Sequence, residues 1–195
     1  MIASRACNES APLRLGVLVS GSGTNLQAIL DKRGVYTVSA VVSNIAGVKA
    51  IERARLAAVP HVEVVTSKGV ERAAFERSVT MRFENAGVEI VVLAGFMRVL
   101  TSEFLSRWTV VNVHPALCPA FPGMHAAKQA MDHGVKITGC TVHLVDAGVD
   151  TGPILAQAAV PVLPGDDEEK LQKRIQVEEH RLLPEVLTQI ARGAL

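Results

Sequence analysis

Asn112-Val113-His114-Pro115 sets a carboxamide and an imidazole two residues apart at the end of an apolar run. Side chains alternate across a strand, so Asn112 and His114 leave the same face and can aim at one atom. In an open α/β sheet, the carboxyl end of a strand is also where ligands bind. A histidine closing a strand is often only a hydrogen-bonded structural residue, and the segment alone leaves both readings open. Asp150, in Val149-Asp150-Thr151-Gly152-Pro153, adds a carboxylate within a Gly-rich turn. Such an acid commonly bonds its own turn, and it gains chemical meaning only where the fold brings it to His114.

Ser20-Gly21-Ser22-Gly23-Thr24-Asn25 carries a different chemistry. It falls where a strand ends and a helix begins. There glycines let the backbone approach a ligand, while unpaired amides and the helix dipole favour an anion. Gly23, Thr24 and Asn25 would seat a phosphate; the plainer alternative is a tight turn with Ser22 or Thr24 as a helix cap. A dinucleotide site is the rival, because Gly21-x-Gly23 begins like its fingerprint. However, Leu26 stands at the third glycine, and Val42-Ser43-Asn44 ends the second strand without the ribose-binding acid. One phosphate monoester suits this loop better than a pyrophosphate.

These residues need a frame. Leu13 to Val19 reads as a buried strand, Thr24 to Lys32 as a helix, Val38 to Val42 as a strand, Val48 to Ala57 as a helix and Val62 to Val65 as a strand. Ala73 to Asn85 follows as a helix, Glu89 to Ala94 as a central strand, Thr101 to Arg107 as a short capped helix and Thr109 to Val113 as the fifth strand. Pro115, Pro119, Pro122 and Gly123 then enforce a long loop. Beyond it come a helix at Ala126 to Met131 and two strands, Lys136 to Val145 and Ile154 to Val162, joined by a turn on Gly148 and Gly152. The last helix is expected to start at Asp166 as its cap, with Glu169 three residues on, and to bend or restart at Pro184. The alternation implies an α/β, Rossmann-like open twisted sheet, mostly parallel with an antiparallel C-terminal edge and helices on both faces.

Bulk properties narrow the function. The chain has 195 residues, 49% hydrophobic and 20% charged, with a net charge of +1. Residues 1–12 read as a flexible tail and 13–195 as a single domain. Near-neutral charge without a Lys/Arg run excludes the footprint of a general nucleic-acid binder. No segment resembles a secretory signal or reaches the ~18 apolar residues of a membrane span, so a cytoplasmic protein acting on small molecules is expected. Cys7, Cys118 and Cys140 contain no C-x-x-C pair, and the six histidines lack the spacing of a helical metal pair. Free thiols and no metal are expected.

Taken together, S-G-S-G-T-N-L, V-V-L-A-G-F-M-R-V-L, N-V-H-P-A-L-C-P-A-F-P-G and V-D-T-G-P-I-L-A-Q resemble the folate-dependent formyltransferases, and among them the phosphoribosylglycinamide formyltransferase family, in order and spacing across about residues 13 to 193. The N-V-H-P loop and D-x-G-P turn belong to the wider group, and the S-G-x-G-x-N loop is the narrower signal. The resemblance implies transfer of a formyl group from 10-formyltetrahydrofolate to the amine of glycinamide ribonucleotide, in purine synthesis. It makes Asn112, His114 and Asp150 the catalytic trio, Gly23, Thr24 and Asn25 the phosphate contacts, and Glu179 in Q-V-E-E-H a ribose contact. Arg72, Met97, Arg98, Val99, Leu100, Asn112, Val145 and Val149 then border the folate. It implies small-molecule partners without nucleic acid or membrane, and is compatible with a homodimer.

In the chemistry so implied, Asn112 and a protonated His114 donate to the formyl oxygen, while Asp150 favours the imidazolium and accepts the amine's proton through a water. Departures from the family pattern include Ala116 for a frequent serine, Cys118 for leucine, and Asp146-Ala147-Gly148-Val149 without the usual acids, so the folate loop is expected to differ in shape. The alternatives are another folate formyltransferase or a formyltetrahydrofolate hydrolase, for whose added domains 195 residues leave no room. A non-catalytic Rossmann-like nucleotide-binding module is the rival of a different class.

Overall fold

The computed structural model describes residues 11–32 and 34–195. Ten of the twelve residues expected as a flexible tail, and Cys7 with them, lie outside the described residues. The chain runs β1 (Leu13–Val19), α1 (Thr24–Asp31), β2 (Tyr36–Ser43), α2 (Lys49–Leu56), β3 (His61–Val64), α3 (Arg72–Asn85) and β4 (Ile90–Leu93). It continues with α4 (Ser102–Arg107), β5 (Val110–His114), α5 (Ala126–Asp132), β6 (Ile137–Leu144), β7 (Ile154–Pro161) and α6 (Glu168–Ala191).

One seven-stranded sheet results, in the order β3-β2-β1-β4-β5-β6-β7. The first five strands in this order are parallel, while β6 and β7 pair antiparallel. Both faces of the parallel strands are covered, which explains their near-continuous apolar sequence. Period-two alternation sends Leu15, Val17 and Val19 of β1, with Ile90 and Val92 of β4, to the face covered by α1, α2 and α6. Leu18, Val91 and Leu93 go to the other face, against Phe75, Val79 and Phe83 of α3 and Phe104 of α4. Gly16 shows how tightly that second face packs: a Cβ there would stand 2.9 Å from Val88 Cγ1 and 3.0 Å from the Phe83 ring.

The chain first winds outward from β1 to β3, then crosses back through α3 to place β4 on the other side of β1. Loops leaving β1 and β4 therefore diverge, and the crevice between them is where such sheets take ligands. Ser20 ties the two loops together. Its N–H donates to Gly95 O (3.2 Å), and its hydroxyl accepts from Met97 N (3.1 Å) and donates to Asn44 Oδ1 (2.7 Å).

The expected elements all form, with ends shifted by a residue or two, but the last helix differs in two respects. Its cap is Asp167, which accepts from Lys170 N; Asp166 instead accepts from Leu163 N and grips Arg174 through both carboxylate oxygens. The hydrogen bonds from Arg174 and then Leu163 N–H outweigh burial and hold the Asp166 pKa down at about 2. Pro184 also lies within one continuous helix. Leu171, Ile175, Leu183, Leu187 and Ile190 keep a single apolar stripe on the sheet through and beyond it, so packing outweighs the one missing N–H.

Among the described residues no helix is long and apolar enough to cross a membrane, and Cys118 and Cys140 are buried free thiols.

Candidate active site

Asn112 and His114 close β5 on one face, and the antiparallel ladder sets His143 of β6 directly opposite Asn112. Asp150 arrives from the turn between β6 and β7, in the left-handed backbone region at φ 54°. That conformation is costly for a residue with a Cβ, and here it coincides with a side chain turned to the end of β5. Asp150 Oδ2 lies 3.2 Å from His114 Nδ1 and accepts Gly123 N–H at 2.8 Å. The acid thus pins the proline loop as well as the imidazole. Turn-local bonding, the plainer expectation for Asp150, is carried out by Asp146, which accepts from Gly148 N and Thr151 Oγ1.

His114 Nε2 lies 2.8 Å from the Phe121 carbonyl, which can only accept, so this nitrogen carries a hydrogen. His114 Nδ1 faces a carboxylate, so a doubly protonated ring satisfies both nitrogens at once. Burial alone would raise the Asp150 pKa, but the Gly123 N–H and the His114 imidazole outweigh it and hold the carboxyl below its usual value. His143 contributes little to this, because its Nε2 accepts from Asn112 and stands 3.6 Å from Asp150 Oδ1, beyond a good hydrogen bond. His114 itself is 4% exposed, so water does little to screen the pair.

His143 has a functional position that sequence reasoning missed. Its Nδ1 donates to Leu144 O at 2.8 Å, which leaves a lone pair on Nε2 to accept Asn112 Nδ2 at 3.1 Å. The Asn112 carboxamide is thereby oriented with its nitrogen inward and one N–H still unspent. A polar ring inside an otherwise buried strand, C-T-V-H-L, was the available signal. Thr141, two residues earlier, braces the neighbouring loop by donating to Ala116 O (2.7 Å) and accepting from Cys118 N (2.9 Å).

The loop after β1 lies two strands away, at roughly 10 Å for ordinary strand spacing. Gly23 is left-handed at φ 72°, and a Cβ on it would meet the Ala50 backbone at 2.7 Å. As the cap residue of α1 it offers no side-chain bond, so neither Ser22 nor Thr24 caps the helix as the plainer reading had it, and the first amides of α1 face outward. Asn25 Nδ2 donates to Glu179 Oε2 at 3.2 Å, whereas Asn25 Oδ1 is buried without a partner among the described residues. Glu179 is 4% exposed, and that burial pushes its carboxyl up to about 7 against the Asn25 hydrogen bond.

The residues expected to border a folate divide by exposure. Met97, Val99 and Val149 are exposed apolar side chains, while Leu100 turns into the core and Val145 is half-buried against it. Arg98 stacks over Phe75 at 5.2 Å and donates to Ser67 O (3.3 Å); Arg72 opens α3 and is exposed. The loop carrying Met97 to Leu100 is anchored from below by buried Glu76, whose carboxylate accepts from the N–H and hydroxyl of Thr101.

Residues 13–187 match the formyl transferase family. A phosphoribosylglycinamide formyltransferase of Mycobacterium tuberculosis is 48% identical over 186 residues, covering 93% of this chain and 86% of that protein. The trifunctional purine biosynthetic protein adenosine-3 of Drosophila pseudoobscura pseudoobscura is 46% identical over 190 residues, and the chain spans 14% of its length. The crystal structure of glycinamide ribonucleotide transformylase 1 from Symbiobacterium toebii superposes with a TM-score of 0.91 at 45% identity, covering 98% of this chain and 93% of that one.

Proposed function

Because the chain belongs to the formyl transferase family, we propose that residues 13–195 form a single domain that moves the formyl group of 10-formyltetrahydrofolate onto the amine of glycinamide ribonucleotide. The observation that carries this reading is the 3.2 Å contact between His114 and Asp150, with Asn112 on the same strand end and an anion loop two strands away. A ribonucleotide with its phosphate on Gly23, Thr24 and Asn25 reaches from that loop toward the trio. Glu179, hydrogen-bonded to Asn25, lies beside the path where a ribose would run. Apolar Met97, Val99 and Val149 suit the flat ring system of the formyl donor, with Arg72, Arg98, Leu100 and Val145 framing them.

The substrate amine attacks while neutral, and the formyl oxygen gains charge as the new C–N bond forms. Two donors serve that oxygen. One is the unspent N–H of Asn112, held in place by His143. The other is His114 Nε2–H, which exchanges its Phe121 carbonyl for the substrate oxygen when the loop gives way. Each such donor is typically worth roughly 10²- to 10³-fold in rate. Asp150 keeps the imidazole cationic through Oδ2, while its Oδ1 makes no close hydrogen bond among the described residues and is placed to take the amine's proton through a water. The C–N bond to the folate then breaks as its nitrogen takes up, through the same water, the proton that the amine gave to Asp150, and tetrahydrofolate leaves. No covalent attachment to the chain is required.

Tetrahydrofolate release from the formyl donor, followed with and without glycinamide ribonucleotide, tests the proposal. Release that depends on the ribonucleotide is expected. Equal release in its absence would make the chain a hydrolase instead.

A further inference from the structure

Which way the amides of an anion loop face is decided on the side away from the anion. Two carbonyls of the loop after β1 are held from behind by α2: Ala50 N–H donates to Gly21 O at 3.2 Å, and Arg53 Nε donates to Ser22 O at 3.0 Å. In a planar trans peptide the C=O and the following N–H point in opposite directions. Fastening those carbonyls onto α2 therefore turns the N–H groups of Ser22 and Gly23 away from it, in sequence with the outward amides that open α1. Consecutive N–H groups turned to one side form an anion-binding concavity.

Arg53 is well placed to do this steadily. It is half-buried, and its Nη1 donates to Gln27 Oε1 at 3.1 Å, while Gln27 in turn donates to Asp31 at 2.9 Å. The guanidinium therefore spans the loop and the first turn of α1. It also puts a positive charge behind the loop, and that charge reaches His180 beside Glu179, adding to burial in disfavouring the imidazolium there.

We propose that Arg53 is a positioning residue for the substrate's phosphate: it does not touch the anion, but holds back the Ser22 carbonyl so that the loop amides converge on the phosphate. The inference rests on the reading that this loop holds the ribonucleotide phosphate. A purely architectural Arg53, joining α1 to α2, would instead affect all substrates alike.

The test compares glycinamide ribonucleotide with its dephosphorylated ribonucleoside, in the wild type and in Arg53→Met, Arg53→Gln and Arg53→Lys. Removing Arg53 is expected to raise KM for the ribonucleotide about tenfold, with kcat and the folate KM changed less than about twofold and the ribonucleoside unaffected. Lys, which keeps the charge and one donor, should recover part of the loss. Should Arg53→Met fail to fold, Gln and Lys carry the same comparison. The inference is overturned if the ribonucleotide KM stays put, or if both substrates lose equally. If the wild type itself does not prefer the phosphorylated substrate, the phosphate-loop reading fails first and takes this inference with it.

Discussion

Replacing Glu179 by glutamine should stabilise the protein in a pH-dependent way. The carboxyl is 4% exposed, and its hydrogen bond from Asn25 does not offset the lost hydration, so its pKa rises from 4.5 to about 7. Below the lower value both folded and unfolded chains hold the proton, and the two proteins should differ least. Between the two values the unfolded chain releases the proton while the folded one retains it. Wild-type stability therefore falls with rising pH, by about 1.4 kcal/mol per pH unit. Above the folded pKa the loss levels off at about 3 kcal/mol. Glutamine is neutral throughout and can still accept from Asn25. At about pH 8 the variant's urea midpoint should thus exceed the wild type's by roughly 1 to 2 M, and at about pH 5 the gap should nearly close. Equal differences at both pH values would refute the buried, proton-holding carboxyl.

Further outcomes are expected at the other parts of the site. Gly23→Ala meets both the positive φ of 72° and the Ala50 backbone at 2.7 Å, so urea unfolding should show a loss of about 1–3 kcal/mol and kinetics a raised ribonucleotide KM. His143→Leu fills the space but frees the Asn112 carboxamide to turn. Steady-state kinetics should show kcat down roughly 10- to 100-fold with both KM values little changed. Asp150 titrates below its usual 3.8, so its ion pair contributes stability above that value and loses it as pH falls through the lower, folded midpoint. Acid unfolding curves of Asp150→Asn should lack that loss.

The alternation of apolar runs and helical patterns located every strand and helix, because buried parallel strands and their crossover helices differ in both length and period. Local competition was less legible. Asp166 and Asp167 are equally good caps by type, and Asp166 is drawn instead to Arg174, eight residues further along the chain in α6. Pro184 reads as a helix break locally, yet its neighbours' burial against the sheet keeps the helix whole. Within the site, the shared face of Asn112 and His114 followed from strand periodicity, and the 3.2 Å approach of Asp150 followed only from resemblance. His143 stood out only as a polar ring in an apolar strand, and its role was not legible because its partner lies 31 positions earlier, in a register that only the assembled β5–β6 ladder defines. The grip of α2 on the anion loop depends likewise on how two crossover helices pack, which no local pattern encodes.

The most direct measurement of the whole account is kcat for Asp150→Asn with both substrates saturating. A carboxylate that holds the His114 imidazolium and takes up the amine's proton predicts a fall of roughly 10²- to 10⁴-fold, with ribonucleotide KM nearly unchanged. A variant that turns over at close to the wild-type rate would contradict it.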